Sequence, residues 1–134
     1  MRSGCFLAGM LCSLLAACGG DDARALQQAR DAMAATLPAA HVEDLVIESV
    51  SIEGDALVQV IRSPGGNAIK TREHPRFEEL RQDEQDDLRL LCAHPALERL
   101  LDSDVRLARR FLDREDNVFF EVEMPASACG ATPP

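Results

Sequence analysis

The spacing of apolar positions changes its rhythm several times along the chain. Between Ala23 and Leu37 the apolar residues Ala23, Leu26, Ala29, Met33 and Leu37 recur at three- and four-residue steps, with Arg24, Gln27, Gln28 and Asp31 between them. That period predicts an amphipathic helix, begun at Asp21 or Asp22 and ended by Pro38, which cannot continue the hydrogen-bond ladder. An Asp at the start can accept from the free amides of the first turn. Residues 42–62, VEDLVIESVSIEGDALVQVIR, instead form two β-branched runs broken at Glu53-Gly54-Asp55, which predicts a hairpin.

The turn formers Ser63-Pro64-Gly65-Gly66-Asn67 then end any strand, and with the charged stretch through His74-Pro75 they predict a mobile loop. From Phe77 to Ala93 the residues Phe77, Leu80, Leu88, Leu91 and Cys92 fit one helical face, interrupted by Glu84 where a further apolar residue is expected. His94-Pro95 breaks this helix, and Pro95 to Leu101 starts another with proline in its first turn.

Strict alternation returns in the last third. Val105, Leu107 and Phe111 alternate with Arg106, Ala108 and Arg110, and beyond Arg114-Glu115-Asp116-Asn117 the residues Val118, Phe120, Val122 and Met124 alternate with Phe119, Glu121 and Glu123. A second hairpin with Asp113 facing Val118 sets Phe111 opposite Phe120 on the core side and Arg110 opposite Glu121 on the wet side. A one-residue slip spoils both faces. Two residues fit poorly: Arg109 falls on the core side, and Phe119 points to the wet face beside Arg110 and Glu121. Those three residues form a possible partner surface, unless a helix covers Phe119.

The order helix, hairpin, two helices, hairpin predicts an α+β fold, α-β-β-α-α-β-β, with an antiparallel four-stranded sheet and its helices packed on one face. One domain over residues 23–129 accommodates all of these elements, and the tail 130–134 is too broken by glycine and proline to pack.

The start of the chain reads differently. Residues 1–17, MRSGCFLAGMLCSLLAA, carry one cation, Arg2, and then an apolar run with small residues at its end, the layout of a secretory leader. The run is shorter than the roughly 20 residues that span a bilayer core, and Gly19-Gly20-Asp21-Asp22 stops it. Leu15-Ala16-Ala17-Cys18 resembles the lipobox of bacterial lipoproteins. The resemblance implies that the leader is removed before Cys18, that the Cys18 thiol carries a diacylglycerol, and that the new amino terminus is acylated as well. Residues 18–22 would then be a brief lipidated tether. Two chains of buried methylenes anchor a protein stably without a spanning helix. Gly19, where the family's inner-membrane retention signal places Asp, implies the periplasmic side of the outer membrane.

Charge and composition narrow the partners. The chain has 14 Lys+Arg against 23 Asp+Glu, net charge -9, with no Trp and no Tyr. Such a chain lacks both a basic footprint and stacking platforms for nucleic acid. The same charge disfavours peripheral binding to anionic lipid, so membrane residence would rest on the acyl chains. Of the five cysteines, Cys5 and Cys12 leave with the leader and Cys18 takes the lipid. Cys92 and Cys129 remain, and in an oxidising compartment they are expected to form a disulfide that staples helix to sheet. The competing reading, a metal site at Cys92-Ala93-His94, lacks the paired spacing of zinc ligands.

No catalytic constellation is visible. The chain has no phosphate-binding glycine loop, no nucleophile elbow and no His pair at helical spacing. His41, His74 and His94 all sit beside predicted breaks, and the acid run Asp83-Glu84-Gln85-Asp86-Asp87 lacks the alternation and glycine of a calcium loop. No catalytic residue, metal or cofactor is expected. The expected function is that of a non-enzymatic protein-binding factor, either an assembly factor or an inhibitor of a basic target. A small lipidated domain with a helix-to-strand cysteine pair is similar in architecture to pilotins, lipoproteins that escort secretin subunits to the outer membrane. The alternative is a small-ligand carrier or enzyme whose site gathers around His74 and the Pro64-Gly65-Gly66 loop, in a concave pocket holding a histidine and carboxylates.

Overall fold

The computed structural model describes residues 20–130. The leader 1–17, the lipid site Cys18 and the tail residues 131–134 lie outside the described residues. Helix α1 spans Gly20–Ala34 and buries Leu26, Ala29 and Met33, the middle of the expected stripe. It begins two residues after Cys18, so Gly20, Asp21 and Asp22 form its first turn rather than a tether.

Five strands follow in one sheet: β1 (Ala39–Ala40), β2 (Val46–Glu53), β3 (Ala56–Arg62), β4 (Arg106–Leu112) and β5 (Val118–Pro125), in that spatial order. The short β1, which the sequence pattern does not announce, pairs with β2 through Ala39 and Ala40. The β2–β3 hairpin turns at Gly54, whose φ of +63° suits the first central position of a two-residue turn. The β4–β5 hairpin also forms as expected. The two hairpins meet through β3 and β4, however, and this pair is parallel. The expected all-antiparallel sheet is thus a mixed one. Its cause is the long helical connection from Ser63 to Val105, which carries the chain back to the starting edge before β4 begins. In keeping with a central strand, β3 is covered on both faces, with Ala56, Leu57, Val58 and Ile61 all buried.

That connection contains α2 (Ala68–Arg72) and α3 (Phe77–Asp87), continued by 3₁₀ segments at Leu88–Ala93 and Pro95–Leu100. The expected mobile stretch is pinned: Asn67 caps α2 by accepting from the Lys70 amide, and the Ser63 amide donates to the Leu112 carbonyl. All helices cover one face of the sheet. Between them and the sheet lies the core, with Leu57, Ile61, Leu88, Leu97, Leu100 and Leu107 fully buried. Every core residue falls between Leu26 and Ala126.

The other face carries charges above a thin apolar layer. Arg110 on β4 binds both Glu121 on β5 and Glu53 on β2, reaching the latter across β3. Arg106 similarly joins Asp55 and Glu123. Since Arg110 opposes Val60 and Glu53 opposes Ala56, the Arg110–Glu53 bridge passes over Val58, and Ala56, Val58 and Ala108 are buried beneath this polar roof. Cys92 and Cys129 form the disulfide, S–S 2.04 Å, which ties the 3₁₀ segment after α3 to the turn that follows β5.

Candidate binding groove

Two polar residues that break apolar faces in the sequence meet in the fold. Glu84, the interruption of the α3 stripe, and Arg109, the inward-facing cation of β4, are 6 % and 5 % exposed. The Arg109 Nη1 lies 3.9 Å from the Glu84 Oε2, close enough to compensate charge but too far for a hydrogen bond. Glu84 accepts instead from His41 Nε2 at 3.3 Å, and Arg109 Nε donates to the Gln59 Oε1 at 3.0 Å. The result is a row, His41–Glu84–Arg109–Gln59, strung between α3 and the sheet, buried except at its partly exposed His41 end. Burial pushes the Arg109 guanidinium below its ordinary pKa, against the opposing pull of Glu84 and then Asp87. Its Nη1 is buried without any hydrogen-bond partner.

Above Glu84 a groove of about 390 Å³ opens between α3, the turn before β2 and the start of β5. Its floor is Phe111, Phe119, Phe120 and Leu45. Val42 and Leu80 are half exposed at its edge, 50 % and 45 %. Glu43, Asp44, Asp83 and Asp87 stand exposed around it, and among the described residues no Lys or Arg lines it. An apolar trough with an acidic rim attracts a segment that is apolar on one side and basic on the other.

A β-bulge at the start of β5 builds this floor. Arg110 opposes Glu121 and Phe111 opposes Phe120 as expected, but Leu112, not Asp113, opposes Val118. The extra residue is Phe119, which turns away from Arg110 and Glu121 and packs with the core-side aromatics. The expected partner surface is therefore divided. Arg110 and Glu121 pair on the open face, and Phe119 lines the groove on the helical face. Gly66 makes room for it, since a Cβ there would lie 2.7 Å from the Phe119 Cζ.

Asp113 is released from strand pairing to organise the corner. Its carboxylate accepts from the amides of Ala68, Glu115 and Asn117 and from the Asn117 side chain. The Ala68 amide, more than burial opposes it, holds the Asp113 pKa down at about 2, helped by Asn117 and Glu115. This tie fixes α2 against the β4–β5 turn, on the groove's flank.

The remaining sequence candidates are dispersed. His74 lies in a neighbouring depression of about 460 Å³ with Lys70, Arg76 and Asp83, and its Nδ1 accepts from the Arg76 amide. His94 caps the 3₁₀ segment after it by accepting from the Ala96 amide, and Cys92 is spent in the disulfide, so the Cys92-Ala93-His94 metal reading loses its thiolate. Sequence reasoning missed the role of His41, for which adjacency to a break gave no sign of burial. Glu84 and Arg109 did leave a signal, each as an anomaly on its own element.

The sequence matches no family model and no curated protein. Two solved structures share the architecture. One, from Pseudomonas aeruginosa and assigned as a secreted protein, superposes with a TM-score of 0.62 at 17 % identity, over 81 % of this chain and 93 % of that one. The other is the pilotin EpsS of the Vibrio vulnificus type 2 secretion system, with a TM-score of 0.55 at 14 % identity, over 85 % of this chain and 99 % of that one. At these identities what the three chains share is the fold.

Proposed function

We propose that the protein is a non-enzymatic lipoprotein of the outer membrane, anchored through Cys18, that docks a basic amphipathic segment of an envelope protein in the groove over Glu84. The observation that carries this reading is the groove itself: an aromatic floor, four exposed carboxylates around it and, among the described residues, no Lys or Arg in its lining. The fold shared with the EpsS pilotin supports an assembly role over an inhibitory one. The leader and lipobox pattern of residues 1–18 supports export and anchoring. No catalytic role is assigned to any residue.

In this reading the helix α1, starting two residues from the anchor, holds the domain close to the bilayer. The acid rim steers a cationic segment, and the aromatic floor retains it. The test places a photo-crosslinker at Leu80 in the full-length protein in its own cells. One discrete adduct is expected, lost with Asp83→Lys together with Asp87→Lys, and lost from the membrane fraction with Cys18→Ala. Adducts unaffected by the charge reversals contradict the groove, and membrane retention of the Cys18→Ala protein contradicts the anchor.

A further inference from the structure

A second hollow, of about 280 Å³, opens on Arg109 between the end of α1, the β1–β2 edge and the 3₁₀ segment after α3. In an acidic protein it is unusual in its lining: among the described residues Arg109 is its one Lys or Arg, and no carboxylate lines it. The rest of its wall is mostly aliphatic, with Leu37, Ile47 and Leu91 among it.

The side-chain polar atoms there are donors except Thr36 Oγ1, whose proton goes to the Met33 carbonyl. Arg109, which lines the hollow, hydrogen-bonds only through its Nε, toward Gln59, and its Nη1, 3.9 Å from the Glu84 Oε2, has no hydrogen-bond partner. Gln59 spends its oxygen on that bond, which leaves its amide N–H pair free to donate. His94 Nδ1 accepts from the Ala96 amide, so in the neutral ring the proton sits on Nε2, a third donor on the same hollow. Glu84 does not satisfy the guanidinium, because it is drawn to His41. A buried, incompletely bonded guanidinium beside two neutral donors calls for an anion with planar oxygens. Glu84 at 3.9 Å already offsets part of the Arg109 charge, so the aliphatic wall suits at most one further negative charge on an apolar body and not a phosphate dianion.

We propose that this hollow binds an apolar monocarboxylate, its carboxylate on Arg109 and its alkyl part against Leu37 and Leu91. The hollow shares no lining residue with the groove over Glu84. The same chemistry is offered by a free alkanoic acid and by the carboxyl terminus of an apolar peptide, and the experiment separates them. The oxidised full chain carrying Cys18→Ala, so that no acyl chain of its own competes, is titrated with octanoate and, separately, with N-acetyl-leucyl-leucine. Octanamide and the dipeptide amide serve as uncharged controls. Calorimetry gives affinity, and the Arg109 Nε–Hε resonance reports the contact.

At least one carboxylate is expected to bind at least about tenfold more tightly than its amide and to shift that resonance. Stronger binding of octanoate identifies a free acid, and stronger binding of the dipeptide a peptide end. Arg109→Gln removes the charge. Ala39→Phe fills the hollow while leaving the Arg109–Glu84 pair in place, and it keeps the test valid if Arg109→Gln unfolds. Each folded variant is expected to lose at least about tenfold in affinity. Equal affinity for acid and amide, binding that survives Ala39→Phe, or no binding of either acid at millimolar concentration overturns the proposal.

Discussion

Replacing Glu84 by Leu tests whether Arg109 depends on the buried row. The guanidinium is 5 % exposed, its carboxylate partner is 3.9 Å away, and its one hydrogen bond goes to a neutral amide. A guanidinium cannot shed its charge, so Glu84→Leu leaves a buried cation with Gln59 alone. Removing one partner of a buried ion pair costs about 3–5 kcal/mol, a large share of the roughly 5–15 kcal/mol that holds a small domain folded. Arg109→Leu is expected to cost less, because Glu84 keeps His41 as a partner at 3.3 Å. The double variant Glu84→Leu/Arg109→Leu replaces the pair with apolar volume and is expected to recover most of the loss, since such replacements are often near neutral. The coupling between the two sites is then about 3 kcal/mol or more, at the upper end for residues in contact. With no Trp or Tyr in the chain, urea unfolding is followed by far-UV circular dichroism on oxidised protein. Single variants that each cost under about 1 kcal/mol, or effects that simply add, refute the reasoning.

The disulfide and Asp113 give two further tests. The Cys92–Cys129 bridge spans a sequence separation of 37, and replacing both cysteines by Ser is expected to cost about 4 kcal/mol in the chain-entropy account, read as a lower urea midpoint than that of the oxidised protein. Asp113 has a folded pKa of about 2 against an ordinary 3.8, so its contribution is complete above about pH 4 and is lost as the pH falls toward 2. Asp113→Asn is expected to lower stability near neutrality and to flatten the fall between pH 4 and pH 2. A variant whose unfolding shows the same acid slope as the parent contradicts the assignment.

Much of the fold is legible in the spacing of apolar residues, because local periodicity reports which face each element buries. The α1 stripe, both hairpins and the pairings of Phe111 with Phe120 and Arg110 with Glu121 all follow from it. Local pattern is silent on how two hairpins join, and the parallel β3–β4 pair comes from the path of the long connection instead. It is equally silent on the bulge that moves Phe119, which depends on the space left by Gly66 and on Asp113 leaving the strand for the α2 amide. The groove draws on four separated segments, and no spacing announces it. Glu84 and Arg109 were each visible as a misfit. Taken together, two opposite charges on two buried faces are the mark of a partnership across elements.

The most direct test of the central claim is to sequence the partner peptide crosslinked at Leu80 in the full-length protein and compare it with the peptide, if any, crosslinked from Glu121 on the opposite face. The groove account predicts an amphipathic segment with an excess of Lys and Arg from Leu80, and no matching adduct from Glu121. An acidic segment at Leu80, or the same partner segment captured from Glu121 alone, contradicts it.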